Sequence, residues 1–172
     1  GLALLGHTER MIASAYLRSV QTSYAADAAA RLTIDAIARN PSSALWPAVG
    51  TIPSLPGAAR VMAIAAGETV DLDARTVELN TDATRFWPVG ADTPRWRLVG
   101  WGRLPALPAS SRRVAAWIAD DVMDADGISG EDRNGMLMIH VEAYGPRSAA
   151  HAVTVHVRRE GATVRTVSWR EE

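Results

Sequence analysis

The chain has no cysteine, which removes disulfides, thiolate nucleophiles and thiolate metal sites together without identifying a compartment. Strong charge of one sign is missing as well. With 18 basic against 19 acidic residues the net charge is −1, so no global field attracts nucleic acid or an anionic membrane. Nucleic acid is therefore not an expected partner. A long hydrophobic run is also absent, because Gly1-Leu2-Ala3-Leu4-Leu5-Gly6 falls far short of the roughly 20 residues that span a bilayer. No signal peptide is visible; the apolar scrap reads as the tail of something hydrophobic, with any targeting segment upstream. Phenylalanine occurs once and tryptophan six times, which makes the tryptophans the expected packing anchors. There is no internal repeat and no low-complexity tract. At 172 residues the chain is about one domain in size, large enough to bury an ordinary core without metal or disulfide staples.

Proline and glycine are missing from Thr8 to Arg39, about nine helical turns, and this predicts a single rod. Met11, Ala15, Val20, Tyr24, Ala28, Leu32 and Ile34 to Ile37 recur near helical spacing, with Arg10, Arg18, Gln21, Asp27, Arg31 and Asp35 between them. Such a rod is half buried and half wet. Pro41 disfavours helical geometry in the residue before it and ends the rod at Arg39-Asn40. From Pro41 to Ala66 the composition is that of a loop, with Leu45 and Trp46 expected to pin it to the core. Thr69 is placed to cap a second helix, Val70 to Thr84, with Leu72, Val77 and Leu79 as its apolar contacts and Asp71 and Asp73 favouring its first turn.

From Arg95 the apolar period shifts toward two and turn signals recur, which predicts antiparallel strands at Arg95–Gly102, Arg112–Asp120, Met136–Tyr144, His151–Arg159 and Thr163–Arg170. Val153, Val155 and Val157 face one way and Thr154, His156 and Arg158 the other, the pattern of a sheet with one dry face that receives the helix. Gly145-Pro146 and Glu160-Gly161 make the last three strands a meander. The expected class is α+β: a long N-terminal helix on an antiparallel sheet of four to five strands. Residues 1–40 form the spine, 41–94 a connector with a short helix, and 95–172 the sheet head.

That order resembles type IV pilins and pseudopilins, and local motifs narrow the resemblance. Thr8-Glu9-Arg10-Met11-Ile12-Ala13 followed by Tyr24-Ala25-Ala26-Asp27-Ala28 is similar to the helix of PilX-type minor pilins, with Asp27 where Glu is more usual. Trp96-Arg97-Leu98, Gly100-Trp101-Gly102, Trp117-Ile118-Ala119-Asp120-Asp121, the acidic loop reaching Asn134-Gly135, and Glu142-Ala143-Tyr144-Gly145-Pro146 also look like this group. The resemblance implies a structural filament subunit, anchored in the inner membrane as a precursor and then displayed at the cell surface, whose partners are other pilin-like subunits. The family's processing site, the full hydrophobic half of its helix and its paired C-terminal cysteines are not in these residues. The assembly surface is expected along Glu9, Met11, Tyr24, Ala25, Ala28 and Leu32, where small residues from Ala25 to Ala30 let helices approach closely.

Reactive chemistry is sparse. Asp120, Asp121, Asp124, Asp126, Gly127, Ser129, Glu131, Asp132 and Asn134 crowd hard oxygens into one loop, which suits Ca²⁺ or, equally, a solvated hairpin loop. Asp124, Asp126 and Asp132 are the candidate ligands, although the EF-hand pattern fails because Gly127 follows Asp124 by three residues instead of five. Some pilins and pseudopilins hold calcium in this region. His140, His151 and His156 fall on strands, and His140 and His156 could share a face, but without a fixed third ligand they read as wet-face or rim residues. His7, near Glu9, marks where the apolar stretch meets water. There is no Gly-x-Ser-x-Gly elbow and no phosphate-cradling loop; Gly100 and Gly102 inside a strand indicate a bulge or a close backbone contact. Trp87, Trp96, Trp101, Trp117 and Trp169 are core or subunit-contact residues, or a stacking platform if exposed together. Arg158, Arg159, Arg165 and Arg170 read as a solvated edge. The expected function is structural and not enzymatic; the alternative is a surface-exposed carbohydrate- or protein-binding adhesin module using exposed tryptophans or the acidic loop.

Overall fold

Without a helix breaker between Thr8 and Arg39 the backbone continues as one helix, α1 (Leu2–Ala38), which begins a turn and a half earlier than the sequence pattern indicated. The computed structural model describes residues 2–39, 52, 55, 57, 59–87, 93–104, 112–124, 134–161 and 163–172. Leu45 and Trp46, expected to anchor the connector, lie outside them. At the α-helical rise the 37 residues of α1 extend about 55 Å. Thr22, Ala25, Ala26, Ala29, Ala30, Thr33 and Ile37 make its buried face, at the three- and four-residue spacing that lines one side of a helix. The two buried threonine hydroxyls are satisfied by the helix itself, Thr22 donating to the Arg18 carbonyl at 2.8 Å and Thr33 to the Ala29 carbonyl at 2.9 Å.

The main sheet is a five-stranded antiparallel meander of β3 (Arg97–Gly102), β4 (Arg113–Asp120), β5 (Met136–Gly145), β6 (Ala149–Glu160) and β7 (Thr163–Glu171), in that spatial order. These strands agree with the sequence expectation to within two residues at each end. Here β1 and β2 denote a separate hairpin, Val61–Ala65 paired with Glu68–Asp71. The sequence pattern predicts loop and helix cap where this hairpin lies. Asp71 caps the second helix in place of Thr69, its carboxylate accepting from the N–H groups of Asp73 and Ala74. Helix α2 accordingly runs Leu72–Phe86, two residues later than expected, and buries Leu72, Leu79 and Ala83 while Val77 is exposed.

The sheet does not have one dry face; strands β3 to β5 are covered on both. Val114, Ala116 and Ile118 of β4, Leu137, Ile139, Val141 and Ala143 of β5, and Val153, Val155 and Val157 of β6 meet the alanine face of α1. On the other side Trp96, Leu98, Trp101, Ala115, Trp117, Ala119, Met138 and Tyr144 pack with Met62 of the hairpin and Leu72, Leu79 and Ala83 of α2. Double burial explains why β4 reads as a nearly continuous apolar run. The alternating pattern survives in β6, whose second face α2 does not reach. Glycine permits two close approaches. β3 bulges between Leu98 and Gly100, where a Cβ would lie 3.0 Å from Ile52, and Gly145 meets α1 with its missing Cβ 3.0 Å from Thr22 Oγ1.

Because α1 is held by small side chains in a close-packed interface, enlarging one of them should act like overpacking in a core. Ala29→Leu should lower unfolding free energy by about 1–3 kcal/mol in chemical denaturation. Ala13→Leu, on the exposed part of the same helix, should stay within about 0.5 kcal/mol of the parent.

Candidate functional site

Among the described residues, five of the ten large exposed apolar side chains lie on α1. From residue 6 onward the first buried residue of the helix is Thr22; before it Met11, Ile12, Tyr16 and Leu17, and just after it Tyr24, are 56–72% exposed. Ile12, Tyr16, Val20 and Tyr24 follow at four-residue steps with Ala13 and Leu17 beside them, so one apolar stripe winds onto the face turned away from the sheet. Of the expected assembly residues, Glu9, Met11 and Tyr24 are exposed, whereas Ala28 and Leu32 are half-buried against the protein's own core. Ala25 is fully buried there. The alanine stripe thus serves contact with the head, and the helix's free surface lies elsewhere on its circumference.

A buried polar network, absent from the sequence expectations, ties α2 to β5 and β6. Arg75 of α2 donates to Glu142 Oε1 through Nε at 2.8 Å and Nη2 at 2.6 Å, and to Glu78 through Nη1 at 2.8 Å. His140 Nε2 donates to the same Glu142 oxygen at 3.0 Å, and its Nδ1 lies 2.9 Å from Thr154 Oγ1. The Tyr144 hydroxyl donates to the other Glu142 oxygen. Strand periodicity carries the signal that could have found this: His140, Glu142 and Tyr144 alternate along β5 and share its second face. Burial raises the Glu142 carboxyl, but hydrogen bonds from His140, Arg75 and Tyr144 outweigh it and hold the group down at about 2. The Arg75 guanidinium is raised by its bond to Glu142, and the Tyr144 phenol is raised by burial and by the Glu142 charge. His140 is not a wet-face residue, because Trp96 and Trp117 pack on its ring with centroids at 5.6 and 6.0 Å.

The acidic loop is partly seen. Asp120, Asp121 and Asp124 are buried and act as acceptors for local donors: Asp121 Oδ1 from Asn134 Nδ2 at 2.7 Å, Asp121 Oδ2 from the Met123 N–H at 3.2 Å, and Asp124 Oδ2 from the Asn134 N–H at 3.2 Å. Asp126 and Asp132 lie outside the described residues, so the proposed calcium ligands are not seen together. Among the described residues no three histidine or acidic side chains are grouped to hold a metal ion. His156 does share the β5–β6 face with His140, and His151 is half-buried at 3.8 Å from Glu171. Among the described residues the tryptophans form no common platform: Trp96, Trp101 and Trp117 are core residues, and Trp169 lies under the Arg31 guanidinium at 5.4 Å. Trp87 and Trp96 instead border a groove of about 540 Å³ between α2 and the second face of β5–β7, with His140, Thr154, His156 and Arg170 along its floor.

Comparison of the chain with protein-family models, curated proteins and solved structures finds no match.

The depressed Glu142 carboxyl makes stability depend on acid in a definite direction. Its contribution is fully present above the usual carboxylate value of 4.5 and is lost as pH falls through about 2. Thermal melts between those limits should show the parent protein losing stability, and Glu142→Gln should flatten that part of the profile while lowering stability at pH 7.

Proposed function

We propose that this chain is a pilin-like structural subunit of a type IV pilus or type II secretion-like filament, joined to its neighbours through the projecting half of α1 with the sheet head facing outward. One observation carries the reading: a single continuous helix is fastened to the head over its second half and presents uncovered Met11, Ile12, Tyr16 and Leu17 over its first. An apolar helix surface of this kind is stable in water only at a cost, and packing against like helices removes it. The fold order, with a long first helix against an antiparallel meander, supports the same reading. No helix among the described residues is long and apolar enough to cross a membrane. In this proposal the partners are other pilin-like subunits, the precursor is held at the inner membrane, the assembled protein lies on the cell surface, and no catalysis is required.

A second reading, a carbohydrate- or protein-binding module, is favoured by the aromatic-walled groove beside α2. Methyl glycosides titrated against intrinsic fluorescence would reveal it, with Trp87→Ala abolishing the signal.

The filament reading predicts separable effects on folding and assembly. Tyr16→Glu and Leu17→Glu should leave circular dichroism and the melting curve within about 0.5 kcal/mol of the parent yet prevent incorporation into filaments in cells that make them. Ala25→Glu should instead prevent folding, because a charge would enter a close-packed core. Normal incorporation of both surface variants would remove the proposal.

A further inference from the structure

Several arginines of this protein are held in ion pairs. Arg39 pairs with Asp35, Arg60 with Asp73, Arg75 with Glu142 and Glu78, Arg165 with Glu160, and Arg170 with Glu172. Where α1 leaves the head, three arginines without an ion pair come together. His7, Arg10, Met11, Ser14 and Arg18 lie on one face of α1, and with Arg147 they line a crevice of about 280 Å³. Among the described residues no carboxylate lines it. Among the described residues neither Arg10, Arg18 nor Arg147 makes an ion pair, so three guanidinium groups, an imidazole and a hydroxyl share one small space without a counter-charge.

The placement of Arg147 is built into the fold. It occupies the three-residue turn between β5 and β6, where Arg147 and Ser148 adopt φ of 60° and 56°, a conformation that favours glycine or asparagine. Two contacts hold the turn there. Gly145 abuts Thr22 of α1, and Glu68 accepts from the Arg147 backbone N–H at 3.1 Å. Glu68 thus fixes the turn through the main chain, while Glu9 lies on the opposite face of α1 from the crevice. Like charges gathered on a protein of net charge −1 repel one another unless an anion joins them. Guanidinium forks match the paired oxygens of carboxylate and phosphate, of which phosphate has the further oxygens that several forks can share, and all 18 basic residues of this chain are arginine.

We propose that His7, Arg10, Arg18 and Arg147 form a cradle for a phosphate group at the base of the head. Free phosphate and the phosphodiester of a lipid headgroup present the same chemistry. The lipid source rests on the membrane-held precursor proposed above, since the projecting half of α1 would then bring the cradle level with the headgroups; the anion site itself does not.

Two probes separate the sources, each applied to the full chain. Inorganic phosphate is titrated at constant ionic strength, and phosphatidylcholine vesicles containing increasing phosphatidylglycerol are used in co-sedimentation. The comparison is among the parent, Arg18→Gln with Arg147→Gln, and Arg85→Gln, an exposed arginine of α2 remote from the crevice. Millimolar phosphate should bind saturably, and the double variant should weaken it by about tenfold or more while Arg85→Gln leaves it unchanged. Vesicle binding should rise with phosphatidylglycerol and fall by a similar factor in the double variant. Variant-sensitive binding to phosphate alone assigns the cradle to a free phosphate, and to vesicles alone assigns it to a headgroup. The proposal is overturned if neither probe distinguishes the double variant from the parent, or if Arg85→Gln weakens binding as much. Neither measurement depends on filament assembly, so the filament reading stands or fails separately.

Discussion

The closeness with which α1 lies on the sheet governs the rest of the architecture. Ala25, Ala26, Ala29 and Ala30 bring the helix backbone near Ala116, Ala143 and the valines of β6, so the contact relies on shape and on excluded water. Only small residues allow that distance. Their use against the head also determines where this part of the helix is free, because alanine on one side leaves Tyr24 on the other. Attachment and exposure are two consequences of one pattern along a single element.

The second face of the sheet is held differently. There α2 and the β1–β2 hairpin supply large side chains, and the Arg75–Glu142–His140–Tyr144 network supplies direction. A buried ionised group adds little net stability when its partners are complete but destabilises strongly when one is lost. The network therefore acts mainly to fix where α2 lies along β5. Since α2 covers β3 to β5 and stops, β6 and β7 keep a polar face, and the groove with Trp87 and Trp96 at its border follows from that incomplete cover.

Much of this was legible in the residues themselves. The rod was readable because nothing from Thr8 to Arg39 interrupts it, and the strands because Val153, Val155 and Val157 alternate so cleanly and because Gly145 and Gly161 mark their turns. The hairpin was not, since Val-Met-Ala-Ile-Ala carries no polar alternation and Thr69 imitates a helix cap two residues too soon. Double burial was hidden for a related reason: Trp117 and Ile118 are neighbours in sequence but enter opposite cores, and a sheet judged from β6 alone appears wet on one side. Among the candidate assembly residues, Met11 and Tyr24 are exposed, whereas Ala25 is buried against the head, since small residues suit a helix–sheet contact as well as a helix–helix one. Arg147 carried no signal at all, since its proximity to Arg18 is created by the β5–β6 turn closing on α1.

The route of α1 across the sheet has a mechanical consequence. The helix rests on β4, β5, β6 and β7 and continues, without a change of secondary structure, into its projecting half. A pull along its axis is shared by contacts to four strands at once, so the head would be loaded in shear and not opened one strand at a time. A domain fastened in this way can bear tension at its root without a covalent cross-link.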